Sequence, residues 1–235
     1  MKFHYNPFMI VYGKQIVSSF VTKYPNKIKK IYLTKELEKE EFKKFMNIGI
    51  KITRLDNKKA QALARGGNHQ GYLLEIDDFE FVDFHYLKKE KFLLVFDGLT
   101  DVGNMGAIIR TAYALGVDGV VICGLKQIDM SPVIRTSAAA ALEMPIAFVQ
   151  NSADVANELS MVDFTLAGAD ANGYDIKSIE KSSGQKIALF LGNEGKGLSK
   201  KVQKKLDIKL SIAMENNFDS LNVSVAAGIL IHALK

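Results

Sequence analysis

Phe92-Leu93-Leu94-Val95-Phe96 is an unbroken apolar run. A strand with one wet face alternates apolar and polar residues, so an uninterrupted run belongs to a strand buried on both faces, as in a parallel sheet. The pattern then recurs. Further strands are expected at about 118–122, 145–149, 163–167, 186–191 and 207–212. Helices are expected between them at about 104–115, 131–142, 153–161, 197–205 and 221–234. This alternation predicts an α/β domain over 91–235, a parallel sheet with helices on both sides. Ser131-Pro132 reads as a cap followed by a first-position proline.

The closing stretch from Ser220 to His232 is apolar around its whole circumference and reads as a buried helix. Ser220 occupies the expected N-cap, with Asn222 and Ser224 in the first turn. Ala226, Ala227 and Gly228 are small enough for another backbone to come close, either inside the domain or across a subunit boundary.

A smaller α/β module precedes this domain over residues 1–75. A helix begins after Tyr12-Gly13, and Ile31-Tyr32-Leu33 is a strand. Lys35 to Met46 is a charged helix whose Glu and Lys residues lie three to four apart. Ile50 to Leu55 is a strand, and Asn57 to Ala64 is a helix capped by Asp56. Gly66 to Gly71 is a loop, followed by the strand Tyr72 to Ile76. Residues 76–90 read as a polar linker. The module carries 15 Lys and Arg against 6 Asp and Glu, whereas residues 91–235 carry 14 against 15. A basic module beside a near-neutral domain points to a polyanionic partner such as RNA. The single cysteine, Cys123, excludes an internal disulfide framework and suits a reducing cytoplasm. No signal peptide or membrane-length apolar run is present, which fits a cytoplasmic location. No histidine or cysteine spacing suggests a metal site.

Three loops fall at the carboxyl ends of strands, where open α/β sheets bind ligands. In the first, 97–106, Gly103 and Gly106 allow backbone to approach a ligand and Asn104 can cap the helix that follows. Arg110, on that helix, is placed to meet phosphate or a developing oxyanion. The second, Leu191-Gly192-Asn193-Glu194-Gly195-Lys196-Gly197, sets three glycines around one carboxylate. Its spacing fits neither a dinucleotide fingerprint nor a P-loop. The third runs from Ile212 through Met214 to Ser220.

In this order, Asn104-x-Gly-x-x-x-Arg110, Gly-Asn-Glu-Gly at 192–195 and Ser-Leu-Asn-Val-Ser at 220–224 resemble the motifs of the SpoU/TrmH family of RNA ribose 2′-O-methyltransferases. The resemblance covers essentially all of 91–235. The first third, with Tyr12-Gly13 and His69-Gln70-Gly71, is similar to the substrate-binding domain of the subgroup that methylates a guanosine in 23S ribosomal RNA. The resemblance implies a trefoil knot, an exception to the rule against knotted chains. It implies S-adenosylmethionine bound near Gly192, Ile212, Met214 and Leu221, and a homodimer. Its catalytic constellation would be Asn104, Arg110, Glu194, Ser220 and Asn222, with Asn104 and Glu194 holding the arginine and the ribose. Because arginine stays protonated, Arg110 is expected to act as a cation on phosphate and alkoxide rather than as a base. Ala213 stands where the family has proline, and 215–219 replaces a glycine-containing loop. Transfer RNA as the target and a non-catalytic ribosome-assembly role are the alternatives.

Overall fold

The chain begins its first sheet with a strand that sequence pattern did not single out. β1 (Phe8–Tyr12) precedes α1 (Lys14–Lys23), β2 (Ile28–Leu33), α2 (Lys39–Asn47), β3 (Ile52–Arg54), α3 (Asn57–Leu63) and β4 (Tyr72–Asp77). The computed structural model describes residues 8–178, 184–216 and 220–235. The four strands lie in the order β1-β4-β2-β3; β4 is antiparallel to both neighbours and β2 is parallel to β3. Val17, Phe20, Ile31, Leu33, Phe45, Leu73 and Leu74 fill the core of this unit. Asp56 caps α3 as expected, its carboxylate accepting from the Lys59 N–H at 2.8 Å.

The second unit opens with a helical turn, α4 (Phe84–Leu87), inside the stretch that is polar in sequence; Leu87 is fully buried and belongs to its core. Then come β5 (Phe92–Asp97), α5 (Val102–Ala114), β6 (Gly119–Cys123), α6 (Met130–Thr136), β7 (Ile146–Val149), α7 (Ser152–Ser160), β8 (Phe164–Asp175), β9 (Lys186–Gly192), α8 (Lys200–Gln203), β10 (Ile208–Ser211) and α9 (Val223–Leu234). The six strands form one sheet in the order β10-β8-β9-β5-β6-β7, parallel throughout. Every residue of β5 and β6 is buried, which is why their sequences show no alternation.

The compact units cut across sequence order. One contains the chain up to Glu80 together with Met130–Ala139; the other contains Phe81–Asp129 and Ala140–Lys235. Helix α6 thus belongs to the first unit. It starts at Met130, so Ser131 is a helical residue and not its cap. It also stops at Thr136, short of the expected 142. Ala138 (φ 52) and Ala139 (φ 70) take left-handed backbone, and the Ala139 N–H returns to the Ile134 carbonyl at 2.8 Å. That six-to-one bond is the Schellman termination usually built on glycine. Helix α8 is a single turn rather than the expected 197–205, because the preceding loop consumes 193–199.

Among the described residues no helix is long and apolar enough to cross a membrane.

Candidate functional site

β5 and β9 are neighbours, with Asp97 opposite Gly192 in register. Their outgoing loops therefore leave the sheet side by side, and parallel pairing puts the exit of β10 on the same edge.

Asp97 anchors this edge. It is buried, its Oδ1 accepts from Ser152 Oγ at 2.6 Å and its Oδ2 accepts from the Ser199 N–H at 2.7 Å. One carboxylate thus ties the end of β5 to the start of α7 and to the far end of the glycine loop. Asn193 closes that loop. Its Oδ1 accepts from the N–H groups of Gly195 and Lys196, and its Nδ2 donates to the Gly98 carbonyl at 3.1 Å. Its backbone exchanges two hydrogen bonds with Gly197. A Cβ on Gly192 would overlap the backbone of Gly197 and Leu198, and Gly197 has φ 64. These two glycines are required by the loop's own return path, which presents Glu194 exposed at its tip.

Helix α5 starts two residues earlier than its spacing predicts. Asp101 is its N-cap, accepting from the Asn104 N–H at 2.6 Å. Asn104 is therefore not the cap, and its side chain is free for other work; Gly103 and Gly106 lie within the helix. Met105, Ile108, Ile109 and Ala112 are the buried face, and Arg110 projects from the exposed one.

The cap of α9 also shifts. Asn222, not Ser220, fills the N-cap, its Oδ1 accepting from the Ser224 N–H at 2.8 Å and from Ser224 Oγ at 2.5 Å. With that oxygen occupied, Asn222 Nδ2 donates to Asn104 Oδ1 at 3.1 Å. Asn104 Nδ2 in turn donates to Glu194 Oε1. The chain Asn222–Asn104–Glu194 has one self-consistent direction, since the capping bond at one end and the carboxylate at the other fix both amides. It joins residues 118 and 90 positions apart in sequence.

Three of the five expected catalytic residues are thus brought into direct contact. Ser220 is exposed just before the cap, and Arg110 is exposed nearly two turns along α5 from Asn104. Of the expected cofactor residues, Gly192 is buried in the loop base. Ile212 and Leu221 are half-buried, and Met214 is 37% exposed on the irregular backbone that follows β10. Residues 217–219 of the loop before α9 lie outside the described residues. His69, whose residue type and place in the loop suit an RNA contact or a turn equally, is buried and its Nδ1 accepts from the Gly71 N–H at 3.0 Å, the turn-forming role.

Sequence reasoning gave Asp97, Asn193 and Ser199 no role. The available signal was an acidic residue directly after an all-apolar strand, since a carboxylate at a buried strand end needs designed partners.

The family description "SpoU rRNA Methylase family" matches residues 91–232, and "RNA 2′-O ribose methyltransferase substrate binding" matches residues 10–82. The chain belongs to the SpoU rRNA methylase family. A Borreliella burgdorferi tRNA/rRNA methyltransferase described as uncharacterized is 35% identical over 221 residues, covering 88% of this chain and 95% of that relative. A Staphylococcus aureus protein described as of the TrmH tRNA/rRNA methyltransferase family is 31% identical, covering 95% and 94%. The fold matches the crystal structure of the SpoU methyltransferase AviRb from Streptomyces viridochromogenes, solved in complex with the cofactor AdoMet. The TM-score is 0.76 at 22% identity, covering 97% of this chain and 89% of that one. Membership of the SpoU family agrees with the order of the three motifs, and the α/β architecture agrees with its solved structures.

Proposed function

We propose that this SpoU-family protein transfers a methyl group from S-adenosylmethionine to a ribose 2′-hydroxyl of RNA, with a guanosine of 23S ribosomal RNA as the target. The observation that carries the reading is the Asn222–Asn104–Glu194 chain, which fastens three distant motifs together at the carboxyl edge of a parallel sheet. A merely structural edge has no need to hold an exposed carboxylate in a fixed place.

The residues present fit the cofactor. Ile212 to Met214 is irregular backbone with N–H and C=O groups outside the strand ladder, and Ile212 and Leu221 offer half-buried apolar surface to an adenine ring. Gly192, Ile212, Met214 and Leu221 would hold it. S-adenosylmethionine, when bound, supplies an electrophilic methyl carbon on a sulfonium. The chain's own residues align the acceptor: alignment alone can contribute about 7–11 kcal/mol to such a displacement. Glu194 and Asn104 position the ribose. Arg110 binds the adjacent phosphate and stabilises the negative charge developing on the 2′-oxygen, whose proton passes to solvent water. Ser220 and Asn222, at the start of α9, offer hydrogen bonds to the target nucleotide.

The same reading assigns residues 1–75 to RNA binding and 91–235 to the methyltransferase domain with its trefoil knot, all in a cytoplasmic protein; the expected linker 76–90 is shorter than its polar sequence suggests, because Leu87 packs into the second unit's core. It also makes the protein a homodimer. Val225 (51% exposed) and Ile229 (39%) leave an apolar face on α9, whereas Ala227 is buried and Gly228 faces Thr111 of α5 within the chain. The small residues therefore pack inward, and the larger apolar ones are the candidates for a partner surface.

Transfer RNA is the second reading, favoured by relatives whose names span both RNA classes. Mapping 2′-O-methyl marks in total cellular RNA with and without the protein separates the two. Loss of one large-subunit mark supports the proposal; loss of a transfer RNA mark alone moves the target; an unchanged map in RNA whose marks are complete supports a non-catalytic assembly role.

A further inference from the structure

We propose that the first unit carries a notch that takes a single extruded nucleotide of single-stranded RNA together with its phosphates; this rests on the RNA substrate proposed above. The notch has a volume of about 630 Å³, enough for a nucleotide, and its working wall is Tyr12, Lys14, Lys35, Asn68, Gln70 and Arg135. Three cations converge on it, and among the described residues no carboxylate lines it. A cavity with cations and no acid selects an anionic ligand.

The remaining groups narrow the anion to a nucleotide. The Arg135 guanidinium lies over the Tyr12 ring, 5.0 Å from its centroid. A guanidinium backed in this way is held as a platform whose other face can stack on a base. Gln70 holds φ 54, a left-handed backbone that disfavours side chains, and its Oε1 accepts from the Lys14 N–H at 3.0 Å. This bond fixes the amide and leaves Nε2 as a donor for a base edge. Asn68, exposed on the same wall, adds a donor and an acceptor. Cations for phosphate, a stacking plane and amides for a base edge are the parts by which proteins read unpaired bases, which a duplex keeps stacked inside. Arg135 comes from α6, far from the rest of the wall in sequence, so no motif in residues 1–75 shows the complete notch.

The test uses the full-length protein and a fluorescein-labelled single-stranded RNA oligonucleotide, alone or annealed to its complement. Lys14→Ala/Lys35→Ala should weaken binding of the single strand at least tenfold and reduce the slope of log affinity against log salt by about 1.4, the share of two phosphate contacts. Gln70→Glu keeps an acceptor for the Lys14 N–H while placing a carboxylate in the notch, and should weaken binding similarly. Thermal melting and S-adenosylmethionine affinity should match wild type in both variants. Variants that bind the single strand like wild type, or a wild type that binds the duplex equally well, would overturn the notch. Intact methylation by such variants would leave the proposed activity standing. Conversely, loss of single-strand binding in both variants, in a protein that methylates no RNA, supports the notch and sinks the activity.

Discussion

Arg110 and Asn104 sit on one helix, and substitution separates the tasks proposed for them. Arg110 is exposed, so Arg110→Ala should abolish methyl transfer while leaving S-adenosylmethionine affinity and melting temperature near wild type. Measured turnover close to wild type would remove it from the site. Asn104→Ala breaks the Asn222–Asn104–Glu194 chain at its centre, leaving Asn222 Nδ2 and Glu194 to solvent. Transfer should fall by at least tenfold with little change in stability, checked by single-turnover kinetics beside a denaturant melt. Ala138 offers the opposite outcome. It holds φ 52 at the end of α6, where the equivalent position after α5 is Gly116 with φ 72. A left-handed non-glycine residue costs about 1–2 kcal/mol. Glycine loses part of that gain to its freer unfolded chain. Ala138→Gly should therefore stabilise by about 0.5–1 kcal/mol, seen as a higher urea midpoint at unchanged slope.

At the level of elements, strands were easier to read than helix ends. Phe92 to Phe96 announced a doubly buried strand because nothing in it tolerates water, and the parallel sheet followed. The errors have local causes. Asp101 and Asn222 capture caps from Asn104 and Ser220 because each accepts the N–H two or three residues on. The all-apolar α9 is buried on only one side, since Val225 and Ile229 face outward, and sequence cannot tell core from subunit surface. The left-handed pair Ala138-Ala139 ends α6 where no glycine marks the stop. The three site motifs were legible as short strings; their hydrogen-bonded contact was not, because it depends on which strands are neighbours. Asp97 is the clearest element-level determinant. Asp97→Ala leaves Ser152 Oγ and the Ser199 N–H without their acceptor, at a cost of about 1–3 kcal/mol for each group that stays buried. The glycine loop should loosen, so both the urea midpoint and the transfer rate should drop. An unchanged rate would mean that the loop is held elsewhere.

For the whole molecule, alkaline pH reports on burial. Burial pushes the Cys123 thiol up to about 12 from 9.0, with the Asp97 charge adding to it. Tyr32 and Tyr72 rise to about 12 from 10.0 by burial first, then by hydrogen bonds to Glu75 and Glu41. The folded chain keeps these protons where the unfolded chain releases them, so stability should fall as pH rises from about 9 towards 12 and be unaffected by these groups below 9. Urea midpoints at successive pH values check the sign. If α9 forms a subunit boundary, Val225→Glu/Ile229→Lys should convert a dimer to a monomer in sedimentation at unchanged secondary structure. The most direct test of the whole account is methyl transfer itself. Purified protein is incubated with RNA and S-adenosylmethionine labelled in the methyl group, and the RNA is digested to nucleosides. Label in a 2′-O-methylnucleoside with wild type, absent with Arg110→Ala, is the predicted result; label on a base, or equal labelling by both proteins, would contradict it.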